Sequence, residues 1–388
     1  MLNAMRNWLQ SRRLPEDARR VLELDRAGLP DVDPGADVVI AANTDWLCRA
    51  QDNTASGDDG VARDYSLISG WATSYPETTG YIVPTLLRLA ELQGRDELRQ
   101  RARRMLDWFQ TIQLPDGGFQ GGRIDAKPVV PVTFNTGQIL LGLAAGVRAF
   151  DAYHEVMHGA ARLLRDSLDE DGCWRSHPTP FAEAGNKAYE THVAWGLFEA
   201  DRVAPKEGYG EAGMRQVRWA ITRQWDNGWV ADCCLNLPQT PLTHTLGYYL
   251  KGLVEAHRWS GDQGVLDAAR RTAHGLLGTQ RPDGSLPGRL CHDWRPTVDW
   301  SCLTGNVQIA DSWFYLGQLD GDQRLIDAAR KANAYVRRTV VLDGDDGIRG
   351  GVKGAFPVDG DYGAFEYLNW AAKFTIDANL AEKALSAV

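Results

Sequence analysis

Apolar residues recur at three-to-four spacing along most of the chain, and two alternating kinds of segment carry them. One kind is apolar nearly all round, as in ILLGLAAGV (139–147), VAWGLF (193–198) and IADSWFYL (309–316), which is the pattern of a helix buried on every side. The other is amphipathic with an Arg-rich face, as in RQRARRMLDWF (99–109) and AARRTAHGLL (268–277), the pattern of a helix with one face in water. The first kind predicts helices over Thr79–Gln93, Asn135–Phe150, Thr191–Val203, Thr243–Trp259, Thr304–Leu319 and Ala364–Leu380. The second predicts partners over Glu97–Gln113, Tyr153–Leu168, Glu211–Trp225, Gln263–Gln280 and Gln323–Val340, with 36–51 as a sixth that pairs with the last buried helix. No stretch sustains the period-two alternation that a sheet needs.

Two punctuation marks repeat with these helices. A Thr followed by Gly or His recurs at Thr79, Thr136, Thr191, Thr243 and Thr304, at gaps of 52 to 61 residues. Asp–Gly or Asn–Gly recurs at Asp59, Asp116, Asp171, Asn227, Asp283 and Asp346, at gaps of 55 to 63. Such dipeptides form turns, because Gly accepts a positive φ and Asp or Asn bonds its own backbone. A period in this range marks a repeat architecture whose units cannot bury their apolar faces alone. Six inner and six outer helices, with the chain ends meeting, describe an all-α fold: an (α/α)6 toroid over 36–388. Residues 1–35 form a short helical extension, with helices expected at Leu2–Gln10 and Glu16–Arg26. The Thr series is expected to supply N-caps, and Pro84 to distort the first turn of its helix.

In such a ring the segments entering the inner helices converge on one mouth, where free N–H groups suit hydroxyls or a carboxylate. What differs from repeat to repeat beside each Thr then carries the chemistry. The candidate catalytic residues are Glu77, Glu190, His192, His244, Tyr248 and Asp311. The candidate substrate-binding residues are Tyr75, Tyr81, Asn135, Gln138, Tyr189, Trp300, Asn306 and Glu366, with Gln308, Tyr362 and Asn369 beside them. Carboxylates or His move protons, amides grip hydroxyls or a uronate carboxylate, and aromatics stack on sugar faces. Epimerisation or elimination at C5 of a uronate would draw on His192, His244 or Tyr248. Hydrolysis would draw on two of Glu77, Glu190, Asp311 and Glu366. Spacing in sequence leaves that choice open.

Composition narrows the partners. A net charge of −9 without long charged runs argues against nucleic acid or an anionic membrane as the main partner. No segment reaches the roughly 18 apolar residues of a membrane span, and the first residues lack a secretory signal pattern. The six Cys form no dense framework. A cytoplasmic protein acting on an oligosaccharide or polysaccharide, with no cofactor and no metal, is the expectation, and the 14 Trp suit it. Two other motifs compete. Asp343–Gly344–Asp345–Asp346 matches the acid motif of class II terpene cyclases but falls in the sixth Asp–Gly turn. Cys291, His292 and Cys302 resemble the zinc ligands of lanthionine-synthetase-like toroids, with Asp after the Cys–His where those have Gly. A non-catalytic glycan-binding scaffold is the remaining alternative.

The chain resembles a family of bacterial proteins found with exopolysaccharide-biosynthesis genes. The matching stretches are RAQD (49–52) with Asp59–Gly60–Val61, SYPETTGYIVPTLL (74–87), FNTGQILLGL (134–143), YETHVAWGLFEA (189–200), PLTHTLGYYLKGLVEA (241–256) and SCLTGNVQIA (301–310). The resemblance implies a place in a polysaccharide pathway without supplying a reaction. More distantly, TGQ before an apolar helix is similar to the helical domain of glucuronyl C5-epimerases. The fold expected resembles unsaturated glucuronyl hydrolases and N-acylglucosamine epimerases.

Overall fold

The computed structural model describes residues 14–183 and 185–386; the expected helix Leu2–Gln10 lies outside them. In chain order the helices are α1 (Glu16–Ala27), α2 (Ala36–Asp52), α3 (Pro76–Gln93), α4 (Asp96–Ile112), α5 (Thr133–Phe150), α6 (His154–Asp166), α7 (Thr191–Val203), α8 (Tyr209–Ile221), α9 (Thr243–Ser260), α10 (Gln263–Leu277), α11 (Leu303–Asp320), α12 (Gln323–Arg338) and α13 (Asn369–Ser386). The odd-numbered helices from α3 to α13 pack side by side, and α13 returns to α3, so the inner ring closes. Helix α2 packs on α13 as the sixth outer helix. The result is an (α/α)6 toroid. None of the described helices is long and apolar enough to cross a membrane.

Gly in the Thr–Gly signature serves close packing in the inner ring. A β-carbon on Gly142 of α5 would collide with the Gly80 carbonyl of α3, and one on Gly196 of α7 with the Gly137 carbonyl of α5. Pro84 lies inside α3 without ending it; its ring leaves the Gly80 carbonyl without a helical donor, on the face that meets Gly142.

The Thr residues are not N-caps, since no cap side chain bonds the first turn of α3, α5, α7, α9 or α11. Helices α3 and α5 start three residues before their Thr, which places Thr79 and Thr136 inside the first turn. There the Thr79 hydroxyl accepts the Val61 N–H at 3.0 Å and the Thr136 hydroxyl the Phe119 N–H at 3.0 Å. Each ties the segment after an Asp–Gly turn to the next inner helix.

The turns behave as the dipeptides dictate. Asp116, Asp171, Asn227 and Asp283 each accept the N–H two residues on, at 2.9 to 3.1 Å. At Gly228 (φ 84°) a β-carbon would also strike the Arg271 carbonyl of the next outer helix.

Short strands appear where loops and, at 366–368, the start of the last inner helix were expected. Strand β1 (Asp64–Ser66) pairs with β2 (Gly70–Trp71) and, antiparallel, with β5 (Glu366–Leu368), while β3 (Ser301–Cys302) pairs with β4 (Ala355–Phe356). Pairing with β1 holds 366–368 extended, so the last inner helix starts at Asn369 instead of Ala364. The first and last approach segments are thereby zipped together at one end of the ring. Outside it, α1 buries Ala18, Val21 and Leu22 and sends Asp25 to Lys353 and to the Val358 N–H at 2.8 Å.

The two competing motifs are occupied locally. Asp345 accepts the Gly347 N–H at 3.1 Å and Asp346 pairs with Arg349 at 2.6 Å, in an exposed turn. Cys291 donates to Asp293 at 2.8 Å, His292 packs on Trp225 and Cys302 is buried in β3. Among the described residues no group of three His, Cys, Asp or Glu side chains has metal-binding geometry.

Candidate active site

At the end where the approach segments meet, Glu77 stands in the first turn of α3, almost fully buried. Its carboxyl accepts from Asn135 Nδ2 at 3.0 Å and is bonded by the Tyr75 hydroxyl. Burial drives its pKa up to about 7, against the pull of Tyr75 and the more distant Arg63. Glu190 closes the 3-10 turn Ala188–Glu190 that leads into α7. Burial raises it to about 8, opposed by Lys187, and its Oε2 has no hydrogen-bond partner among the described residues. Both carboxyls hold protons that an exposed Glu would have lost at neutral pH.

The histidines are displaced the other way. His244, second residue of α9, is pulled down to about 4 by burial, while its bond to Gln308 favours the charged form. Its Nδ1 lies 2.8 Å from Gln308 Oε1, which places the proton on Nδ1 and leaves Nε2 an acceptor. His192 repeats the device with Gln138 Oε1 at 2.6 Å, and burial first, then the charges of Lys373 and Lys251, hold it well below the usual imidazole range.

These rings form a column. Tyr362 lies 5.2 Å from His244, His244 4.3 Å from Tyr248, Tyr248 4.4 Å from His192, and His192 5.1 Å from Trp195, centroid to centroid. The Tyr81 and Tyr248 hydroxyls stand 3.4 Å apart, and burial first, with the Glu77 charge adding to it, raises the pKa of both. Phe134 and Tyr189 pack at 5.3 Å beside Tyr248, and Trp370 donates to the Tyr362 hydroxyl at 2.8 Å beneath Arg63. Half-buried Tyr75, Phe134 and Tyr362 are the aromatic faces left for a ligand. A recess of about 240 Å³ beside Phe134 and Tyr189 has Glu190 and Lys187 in its wall.

The structure therefore brings together Tyr75, Glu77, Asn135, Tyr189, Glu190, His244 and Tyr248, with Tyr81, Gln138 and His192 behind them. Four other candidates are placed elsewhere. Asp311 is eight residues into α11, about 12 Å along the helix at 1.5 Å per residue. There it pairs with Lys251 at 2.8 Å and lines a cavity at the opposite end of the ring. Asn306 spends its amide on Leu286 N–H (2.9 Å), Ser301 Oγ (2.8 Å) and the Cys302 carbonyl (2.7 Å), the loop-tying role of Thr79. Trp300 packs across Gly288 and Gly360 within the loops. Glu366 binds Arg63 at 2.9 Å, which also holds Asp64. Phe134, Trp370, Arg63 and Lys187 escape the sequence reading. Phe134 stands directly before Asn135 in FNTG, a position that signalled it; the others follow from strand pairing and loop course.

No protein-family model matches the chain, and none of the curated proteins matches it by sequence. Solved structures do match in shape. An unsaturated glucuronyl hydrolase specific for heparin superposes with a TM-score of 0.72 at 15% identity, over 91% of this chain and 99% of that one. Cellobiose 2-epimerase from Bacillus thermoamylovorans gives 0.66 at 13%, over 87% and 95%. An α-mannanase of glycoside hydrolase family 76 from Bacteroides thetaiotaomicron gives 0.65 at 14%, over 89% and 96%. At these identities the likeness is one of fold: the chain is an (α/α)6 toroid of the kind these glycan-processing enzymes share.

Proposed function

We propose that this chain is a carbohydrate-active enzyme that moves a proton at C5 of a uronate residue in a glycan, giving epimerisation or elimination. The observation that carries the reading is the pair of opposite displacements at one aromatic mouth: Glu77 up to about 7 and His244 down to about 4. Titratable groups of one site pushed apart in this way are the pattern of an acid and a base. At neutral pH His244 is uncharged with Nε2 free to accept, and Glu77 still holds a proton for much of the time.

In this reading His244 takes the C5 proton, whose acidity comes from the neighbouring carboxylate. The electron pair left behind moves into that carboxylate. Lys187, with the protonated Glu190 beside it, offsets the charge; its Nζ now rests on the Cys234 and Leu235 carbonyls. Glu77 then returns a proton to C5 or gives one to the departing oxygen at C4. Half-buried Tyr75, Phe134 and Tyr362 supply sugar-stacking faces. Hydrolysis by two carboxyls is less well supported, because it needs one of them ionised. Glu77 and Glu190 are both raised, Glu366 is held by Arg63, and Asp311 stands at the far end of the ring. Exopolysaccharide synthesis is the setting we favour, on the resemblance of the stretches 74–87, 189–200 and 241–256 that build this mouth.

Proton NMR of the purified protein with uronate-containing oligosaccharides in D₂O tests the reading. Deuterium at C5, or a new 4,5-unsaturated signal, is expected, with loss in His244→Ala and Glu77→Gln. New reducing ends with neither signal, or turnover indifferent to His244→Ala, would overturn it.

A further inference from the structure

The end of the ring opposite the mouth holds a cavity of about 520 Å³, lined by residues from the middle and later turns of the inner helices. That is within the range of small-ligand sites. Its wall is charged, and the charges are organised. Lys251 Nζ stands 2.8 Å from both Glu255 and Asp311, and Lys373 Nζ 2.8 Å from Asp377, which also accepts the Thr85 hydroxyl at 2.8 Å. Each lysine also lies near an aromatic ring, Lys251 at 5.1 Å from Trp195 and Lys373 at 4.1 Å from Phe374. Fixed ion pairs of this kind present donors and acceptors at set positions. A ligand rich in hydroxyls can use both, whereas an apolar ligand would desolvate them without return.

Two groups in the wall have no partner among the described residues. Gln308 is 3% exposed and its Nε2 has no hydrogen-bond acceptor among them. A buried amide in that state calls for a water or a ligand oxygen. At the rim, the exposed guanidinium of Arg88 makes no hydrogen bond or ion pair among the described residues, while Arg202 is held by Glu199 and Arg258 by Glu255. An open guanidinium beside a neutralised interior favours one anionic group on the ligand.

We propose that this cavity is a second ligand site, which takes a hydroxyl-rich molecule of one or two sugar rings carrying a single anionic group. Arg88 meets the anion, Gln308 Nε2 donates to a ring or hydroxyl oxygen, and the paired lysines and carboxylates read the remaining hydroxyls. The site also reaches the mouth. Gln308 Oε1 holds His244 Nδ1, and Trp195 in the cavity wall begins the column that runs through His192 and Tyr248 to His244. An occupant that pulls on the Gln308 amide therefore changes the bond that fixes the His244 tautomer. Binding itself does not depend on the chemistry assigned to the mouth.

Isothermal titration of the full chain with glucuronate, glucose 1-phosphate and glucose tests the site. Saturable binding of at least one of the two anionic probes is expected, with glucose about tenfold or more weaker, as loss of one charged hydrogen bond implies. Arg88→Ala, at an exposed position where folding is not at risk, should erase that preference. Gln308→Leu should weaken all three probes, with a thermal melt to confirm that it folds. Glu77→Gln, in the mouth, should leave the affinities unchanged. Bound probe should move the His244 imidazole ¹⁵N resonances in wild type. No binding by any probe at millimolar concentration, affinities indifferent to Arg88→Ala, or binding abolished by Glu77→Gln would each overturn the proposal; the last would put the ligand at the mouth.

Discussion

Replacing Glu77 with Gln gives the most direct reading of the mouth, because it removes one titration and leaves the shape. The carboxyl is displaced from 4.5 to about 7, and each tenfold change in proton affinity is about 1.4 kcal/mol, so ionising it in the folded protein costs about 3 kcal/mol more than in the unfolded chain. The sign is set by which state binds the proton more tightly. Below pH 4.5 both states are protonated and the term vanishes. Between 4.5 and about 7 the folded state holds the proton while the unfolded state has lost it, so wild-type stability falls as pH rises. Above about 7 both are ionised and the full cost is present. Gln cannot ionise, yet its carbonyl can accept from Asn135 and its amide can donate to Tyr75, the two neighbours that now hold the carboxyl. Denaturant unfolding of both proteins from pH 4.5 to 8.5 should show the variant gaining on wild type by about 3 kcal/mol across that window. Glu190, displaced to about 8, is present in both proteins and cancels in the difference. Parallel stability curves would mean that Glu77 titrates normally, and its assignment as the acid would then be lost.

Gly228→Ala should lower stability by about 2–5 kcal/mol in equilibrium unfolding, since φ of 84° is strained for Ala and the new methyl would meet the Arg271 carbonyl. Lys353→Met should cost about 3–5 kcal/mol at neutral pH by leaving Asp25 buried without its cation. The loss should shrink in acid as Asp25 takes a proton, and limited proteolysis at neutral pH should cut the segment 28–35 sooner than in wild type.

The ring itself was legible because each signal that specifies it is local. Inner and outer helices differ in how far round their apolar surface extends, and a turn former stands beside each, so ILLGLAAGV and RQRARRMLDWF declare their places without reference to anything distant. The misplaced elements depend on pairing across the chain. Residues 364–368 have a helix-compatible pattern, and pairing with β1, about 300 residues earlier, and with 352–354 on the other side holds 366–368 extended. The Thr series was visible but its role was not: a Thr at a helix start is usually a cap, and only the loop N–H of Val61 or Phe119 laid over it makes it a tie. Candidates in the first turn of an inner helix do come together at one end of the ring, because the repeat marks where those turns begin. Asp311 was misjudged by helix rise alone. Trp300 and Asn306 were absorbed by loops whose course no period describes.

The two ends of the axis hold their ionisable groups in opposite ways, and this divides their chemistry. At the mouth Glu77 and Glu190 have no ion-pair partner within contact distance among the described residues, so burial raises them and leaves their protons available near neutral pH. At the far end burial acts on Lys251, Glu255 and Asp311 as strongly, yet the lysine between two carboxylates outweighs it. Glu255 and Asp311 stay below their ordinary values and Lys251 above its own. A proton at the mouth can be moved by a substrate, whereas moving one at the far end would break a paired charge and strand its partner. The proposed proton transfer is therefore assigned to Glu77 and His244, and the proposed polar recognition to Lys251, Asp311 and Lys373. Gln308, which bonds His244 and lines the cavity, is where the two are joined.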